Sequence, residues 1–272
     1  MSLSLLTLNN NIIEIILKNI DKESLLILGL VCKELYETAK TVKTLYPDEK
    51  LIGSLKYLTS SLSLLKYAHL NGCPLNNITI KKILNVTNNK SLECLKYAHE
   101  NGCPLNEETC RFAARFGQLE CLKYLHENGC PCDRLTCSIA AGKGQLECLQ
   151  YLHENGCPWD KYTCNGAVAD GHLECLIYAH ENDCPWDIET THIAASNGHL
   201  ECLKYAHENG CPWDEKTCVN AAFEGHLDCL KYLHENNCPW DESICKYAAY
   251  SGYLDCLKYL HEKNCPWYED TC

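Results

Sequence analysis

Cysteine and histidine, the side chains best suited to metal ligation, redox exchange and acid–base work, recur along this chain at a fixed interval. Cys-Pro pairs begin at Cys73, Cys103, Cys130, Cys157, Cys184, Cys211, Cys238 and Cys265; after a first step of 30, each step is 27 residues. His99, His126, His153, His180, His207, His234 and His261 keep this interval, as do Cys94, Cys121, Cys148, Cys175, Cys202, Cys229 and Cys256. Structural zinc usually takes its ligands from closely spaced cysteine pairs, and only Cys130 and Cys132 lie that close. Each repeat otherwise offers one nitrogen and one sulfur, so neither a metal nor a cofactor is expected. A ladder of disulfides is a second reading of the 23 cysteines. The third is buried free thiols, because cysteine behaves as a small hydrophobe and the repeat step places these residues on apolar positions. Free thiols in a reducing, cytoplasmic compartment are the expectation. The histidines are read as core residues hydrogen-bonded to a neighbouring corner. No nucleophile–base–acid constellation and no glycine-rich phosphate loop is present, so no catalytic residue is assigned and no enzyme is expected.

A fixed period in this range implies a solenoid whose units pack only on their neighbours. One unit reads CPWDEKTCVNAAFEGHLDCLKYLHENN from Cys211. Pro212 forbids helix continuation, and Asp214 can cap the helix that follows. The pattern predicts helix A over 215–224, a break at Gly225, and helix B over 227–235. Gly129, Gly156 and Gly210 supply the left-handed residue after helix B. At about 100° per residue, Cys110, Ala113 and Ala114 form one narrow stripe of small residues, while helix B is apolar on most sides. The fold class is therefore all-α, a solenoid of stacked antiparallel helix pairs.

The net charge of −12 argues against nucleic acid, since neutralising a phosphate backbone requires clustered cations. No apolar run reaches the ~18 residues that would span a membrane. The opening MSLSLLTL lacks a basic n-region, so no signal peptide is expected.

The segment ETCRFAARFGQLECLKYLHENGCP resembles the ankyrin pattern, with its Ala-Ala, Gly, Leu-Glu and Glu-Asn-Gly elements in register. Ankyrin repeats run about 33 residues. The residues missing here fall where ankyrins build a β-hairpin finger, so the resemblance implies fingers cut to a CPWD corner. Trp159, Trp186, Trp213, Trp240 and Trp267 would fill the space left. His192 alone keeps the family's Thr-Pro-Leu-His histidine. Ahead of the repeats, LNNNIIEIILKNIDKESLLILGLVCKELYETA resembles the F-box pattern. That resemblance implies docking on the Skp-type adaptor of a cullin–RING ubiquitin ligase through Leu8, Ile12, Ile13, Ile16, Leu17, Leu25, Leu28 and Val31. Three amphipathic helices that merely cap the solenoid are the alternative. The organisation expected is an F-box-like helical segment over 1–46 and an ankyrin-like domain over 47–272, with about eight helix pairs, the first two degenerate. The combination also resembles proteins of large DNA viruses.

Helix B hardly varies between copies, whereas helix A varies opposite its small-residue stripe. In an ankyrin-like stack that face lines the concave surface, so a protein target is expected on Arg111, Phe112, Arg115, Phe116, Lys143, Asn165, Asp170, His192, Asn197, Val219, Phe223, Glu224, Lys246, Tyr247 and Tyr250. The function expected is a non-catalytic substrate receptor for the ligase; the alternative is a plain scaffold or decoy. No helix A follows the last corner, CPWYEDTC, so Leu257 and Leu260 are expected at an exposed edge.

Overall fold

Proline after each corner cysteine ends one helix pair, and the Asp or Asn two residues later starts the next. A computed structural model of the chain describes residues 61–70, 75–86, 90–241 and 243–266. Every regular element among them is an α-helix. The chain divides into two compact units, Met1–Leu105 and Asn106–Cys272. The described helices of the first are α1 (Leu62–Leu70), α2 (Asn77–Leu84) and α3 (Ser91–Glu100). Helices α1 and α2 both pack on α3.

The described residues of the second unit form six helix pairs. They are α4 (Glu107–Arg115) with α5 (Leu119–Glu127), α6 (Arg134–Gly142) with α7 (Leu146–Glu154), and α8 (Lys161–Ala169) with α9 (Leu173–Glu181). The series continues with α10 (Ile188–Ser196) and α11 (Leu200–Glu208), α12 (Glu215–Phe223) and α13 (Leu227–Glu235), then α14 (Ser243–Ser251) and α15 (Leu254–Glu262). The expected helices over 215–224 and 227–235 are thus present within one residue. Asn106, Asp133 and Asp214 each accept a hydrogen bond from the backbone N–H of Thr109, Thr136 or Thr217, and each threonine hydroxyl accepts from the backbone N–H of its cap residue. Such reciprocal caps satisfy two of the donors that a helix start leaves orphaned.

Within the second unit the even-numbered helices stack on one another through small residues, and Ala113, Ala114, Ala140, Ala141, Ala194, Ala195, Ala221 and Ala222 are fully buried. Helices α6 and α8 come closest: a Cβ on Gly166 would stand 2.6 Å from the Ser138 carbonyl oxygen. The odd-numbered helices contribute the larger side chains, among them Leu122, Leu149, Leu176, Leu203 and Leu230. Each such leucine contributes about 1.5–3 kcal/mol of transfer free energy. At the end of the stack Leu260 is fully buried, because α13 and α14 pack on that side of α15. This corrects the expectation of an exposed Leu260; Leu257 is partly buried, and Leu254 is the exposed residue at 60%. Trp267, Tyr268 and the rest of the final corner lie outside the described residues.

Both turns of each repeat use the left-handed region, for different reasons. After helix B, Gly129, Gly156 and Gly210 have φ of 75°, 75° and 83°, and Asp183 and Asn237 replace glycine at 61°. A Cβ on Gly156 would meet open space, so only backbone strain opposes a side chain there. Gly171, between helices A and B, also has positive φ, but a Cβ there would sit 2.4 Å from His199 Nδ1 of the next repeat. The two sites separate strain from collision. Gly156→Ala should cost about 1 kcal/mol, whereas Gly171→Ala, which must also displace a packed ring, should cost about 2–4 kcal/mol. Asp183→Gly should stabilise by about 0.5–1 kcal/mol. Urea unfolding of the three variants checks the order.

Candidate protein-interaction surface

In four successive repeats the first variable position of helix A is used by the stack itself. Arg111 Nε donates to Asp133 Oδ1 at 3.3 Å, and the Ser138 hydroxyl donates to the Tyr162 carbonyl at 2.8 Å. Thr190 donates to Asn165 Oδ1 at 2.8 Å, and His192 Nε2 lies 2.7 Å from Asp214 Oδ1. Each contact joins one repeat to the next. Asn165 is only 6% exposed, which corrects its placement on an accessible face: the helix-to-helix bond draws it inside. Arg111 and His192 are partly buried in the same role.

The capping aspartates serve two repeats at once. Asp133 Oδ1 accepts from the Thr136 N–H at 3.0 Å while the carboxylate also meets Arg111. The Arg111 guanidinium holds the Asp133 carboxyl below the usual carboxylate range, and Lys161 does the same for Asp187. Partial burial pushes Asp214 upward, but its bonds to His192 and the helix N–H groups outweigh this and lower it.

The remaining variable positions face outward to differing degrees. Arg115, Lys143, Asp170, Asn197, Phe223, Glu224, Lys246, Tyr247 and Tyr250 are exposed, and Phe112, Phe116 and Val219 are partly buried. Lys143 Nζ pairs with Asp170 Oδ2 at 2.6 Å, and Asn197 Nδ2 donates to the Ala169 carbonyl at 3.0 Å. Three aromatics gather on α12 and α14. The Phe223 ring centre lies 6.1 Å from that of Tyr247 and 6.5 Å from that of Tyr250, which is 84% exposed. Leu135 and Tyr162, 46% and 50% exposed, belong to the same face and escaped the sequence reading. A signal was present: residues 108, 135, 162, 189, 216 and 243 read Glu, Leu, Tyr, Glu, Lys and Ser, as variable as the positions chosen. Leu8, Ile12, Ile13, Ile16, Leu17, Leu25, Leu28 and Val31 lie outside the described residues.

Among the described residues no group of three or more His, Cys, Asp or Glu side chains could hold a metal ion. No described helix is long and apolar enough to cross a membrane. The repeats also match known families. A family model of ankyrin repeats in three copies matches residues 164–241 and 191–270, and one for many copies matches residues 110–153. The F-box domain model matches residues 5–46.

The chain is an ankyrin-repeat protein with an N-terminal F-box domain.

Among solved structures, the human ASB11 ankyrin repeat domain is similar, with a TM-score of 0.52 and 20% identity over 58% of this chain and 84% of that one. No curated protein matches the chain. Ankyrin repeats and F-boxes are protein-interaction modules and typically non-catalytic.

In this ankyrin protein the histidine series links one repeat to the next. His126, His153, His180, His207 and His234 place Nδ1 2.9–3.1 Å from the hydroxyl of Tyr151, Tyr178, Tyr205, Tyr232 and Tyr259 in the following helix B. The expected partner was a corner; the corner tryptophan instead stacks on the imidazole, at 3.9 Å for His153–Trp159 and 3.6 Å for His207–Trp213. Burial lowers the pKa of His207 and His234. A histidine whose folded pKa is depressed stabilises the fold above its ordinary value near 6.5 and loses that contribution as pH falls through the lowered value. The thermal midpoint should therefore drop on acidification below about pH 6.5, and again below about pH 4, where the paired aspartates protonate. His207→Gln with His234→Gln should flatten the upper stage and leave the lower one. Asp133→Ala removes a cap and the Arg111 partner together, and should cost about 1–2 kcal/mol in urea unfolding.

Proposed function

We propose that this protein is a substrate receptor of a cullin–RING ubiquitin ligase. Its F-box holds a Skp-type adaptor, and the variable face of its ankyrin A helices, the concave one, holds a protein target. The observation that carries the reading is the F-box match at residues 5–46 ahead of the repeat array. Support on the target side comes from the exposed aromatics Phe223, Tyr247 and Tyr250 and the exposed Arg115. Aromatic and arginine side chains dominate the energetics of protein interfaces. Positions tied up between repeats, such as Arg111, Asn165 and His192, contribute to this face by shaping it. The buried free thiols suit a reducing compartment such as the cytoplasm.

Adaptor capture by the full chain separates this reading from a scaffold or decoy with no ligase attached. The wild-type chain should retain a purified Skp-type adaptor. Ile16→Asp with Leu28→Asp should reduce capture at least tenfold while the repeats keep their helical circular dichroism. Capture that survives both changes in a folded protein contradicts an F-box mode of binding, and no capture by the wild-type chain favours the scaffold.

A further inference from the structure

Three corners of the array lack the Trp: two carry Leu75 and Leu105, and the third, Cys132, sits among thiols. Cys132 stands where Trp159, Trp186, Trp213 and Trp240 stand in the next four repeats. Those tryptophans cover the imidazole of the preceding helix B, as Trp186 covers His180 at 3.9 Å. With a side chain as short as Cys132, the cover is lost beside His126. A small cavity remains there, lined among others by Cys110, His126, Cys130, Cys132, Tyr151 and Cys157. Cys132 is the one described cysteine that is not buried. At the wall of this cavity Cys110 Sγ donates to Cys130 Sγ at 2.9 Å.

We infer that the Cys110–Cys130 pair is a redox-modifiable site, reached through the cavity that Cys132 opens, and that small hydroperoxides oxidise it to a disulfide joining neighbouring repeats. The Cys130 thiolate attacks the distal peroxide oxygen; the S–O bond forms, the O–O bond breaks, and the alcohol (water from hydrogen peroxide) leaves with a proton. The Cys110 sulfur then attacks the Cys130 sulfenic acid; the S–S bond forms, the S–O bond breaks, and water departs with the thiol proton. Two thiols lose two electrons, and one peroxide is reduced. The Cys130 thiol, which donates to the Asn106 carbonyl at 3.0 Å, first gives up that proton; the hydrogen bond from Cys110 favours the resulting thiolate and lowers its pKa, the direction this first step requires. Cys164 and Cys184 occupy the corresponding positions two repeats later, where the Cys164 Sγ lies 4.0 Å from the Cys184 carbonyl, and Trp186 closes their corner. They form the internal control.

The test uses the full reduced chain treated with equimolar hydrogen peroxide, quenched with N-ethylmaleimide and digested without reductant for mass spectrometry. A Cys110–Cys130 cross-linked peptide should form at least tenfold faster than a Cys164–Cys184 one, since reactivity follows exposure and thiolate character. Cys132→Trp refills the corner and should bring the two rates together. Cys132→Leu, which copies the corner residue found at Leu75 and Leu105, should do the same if the tryptophan variant fails to fold. Equal rates in the wild-type chain, a Cys132–Cys157 link formed in place of Cys110–Cys130, or no slowing in either folded variant overturns the inference.

Discussion

A thiol-to-carbonyl bond at each corner from Cys130 to Cys265 ties neighbouring repeats of the second unit together. The corner cysteine points its Sγ at the backbone carbonyl of the capping residue one repeat back, at 3.0 Å for Cys130 to Asn106, 3.3 Å for Cys184 to Asp160, and 3.2 Å for both Cys211 to Asp187 and Cys238 to Asp214. A small, apolar side chain that can donate weakly fits such a site without leaving an unsatisfied group. The second cysteine of the pair lies beneath, on helix A, and where Thr191 replaces it the hydroxyl donates to the Pro212 carbonyl at 2.7 Å. Burial pushes helix B thiols such as Cys148, Cys175 and Cys229 up to about 12, so they remain neutral. With the corner fixed, the remaining contacts fall into place: tryptophan over histidine, histidine on the next tyrosine, and the capping carboxylate on a cation of the previous helix A.

This constraint divides the variable face into two kinds of position. Some vary because different side chains achieve the same link between repeats, as Arg111, Ser138, Asn165 and His192 do with four different chemistries. Others, such as Tyr250 at 84% exposure, make no link that requires their type, and these are free to answer to a partner. Variation among copies marks both kinds and does not tell them apart.

That distinction explains what the sequence disclosed. The helix pairs, the left-handed glycines and the burial of the repeat cysteines were legible, because Cys-Pro, Asp and Gly each encode local backbone demands that recur with the period. The Asn165–Thr190 bond was not, since it joins residues 25 apart on different helices. The gathering of Cys110, Cys130, Cys132 and Cys157 was equally hidden. Their spacing suggests no common site, and only stacking one repeat on the next brings the thiols together. Leu135 and Tyr162 lie in the first turn of helix A, just before Thr136 and Thr163, where nearness to the cap obscures a place on the variable face.

The central claim is that these cysteines are structural thiols, reduced and, Cys132 apart, closed by the stack to reagents larger than a small hydroperoxide. Counting them with a thiol-specific reagent, native and then denatured, both without reductant, tests it most directly. Of the twenty described cysteines, only Cys132 should react in the native protein, and all twenty should react once the chain is unfolded. Rapid labelling of the corner series in the native state, or a denatured count that rises only when a reductant is added, would contradict the account.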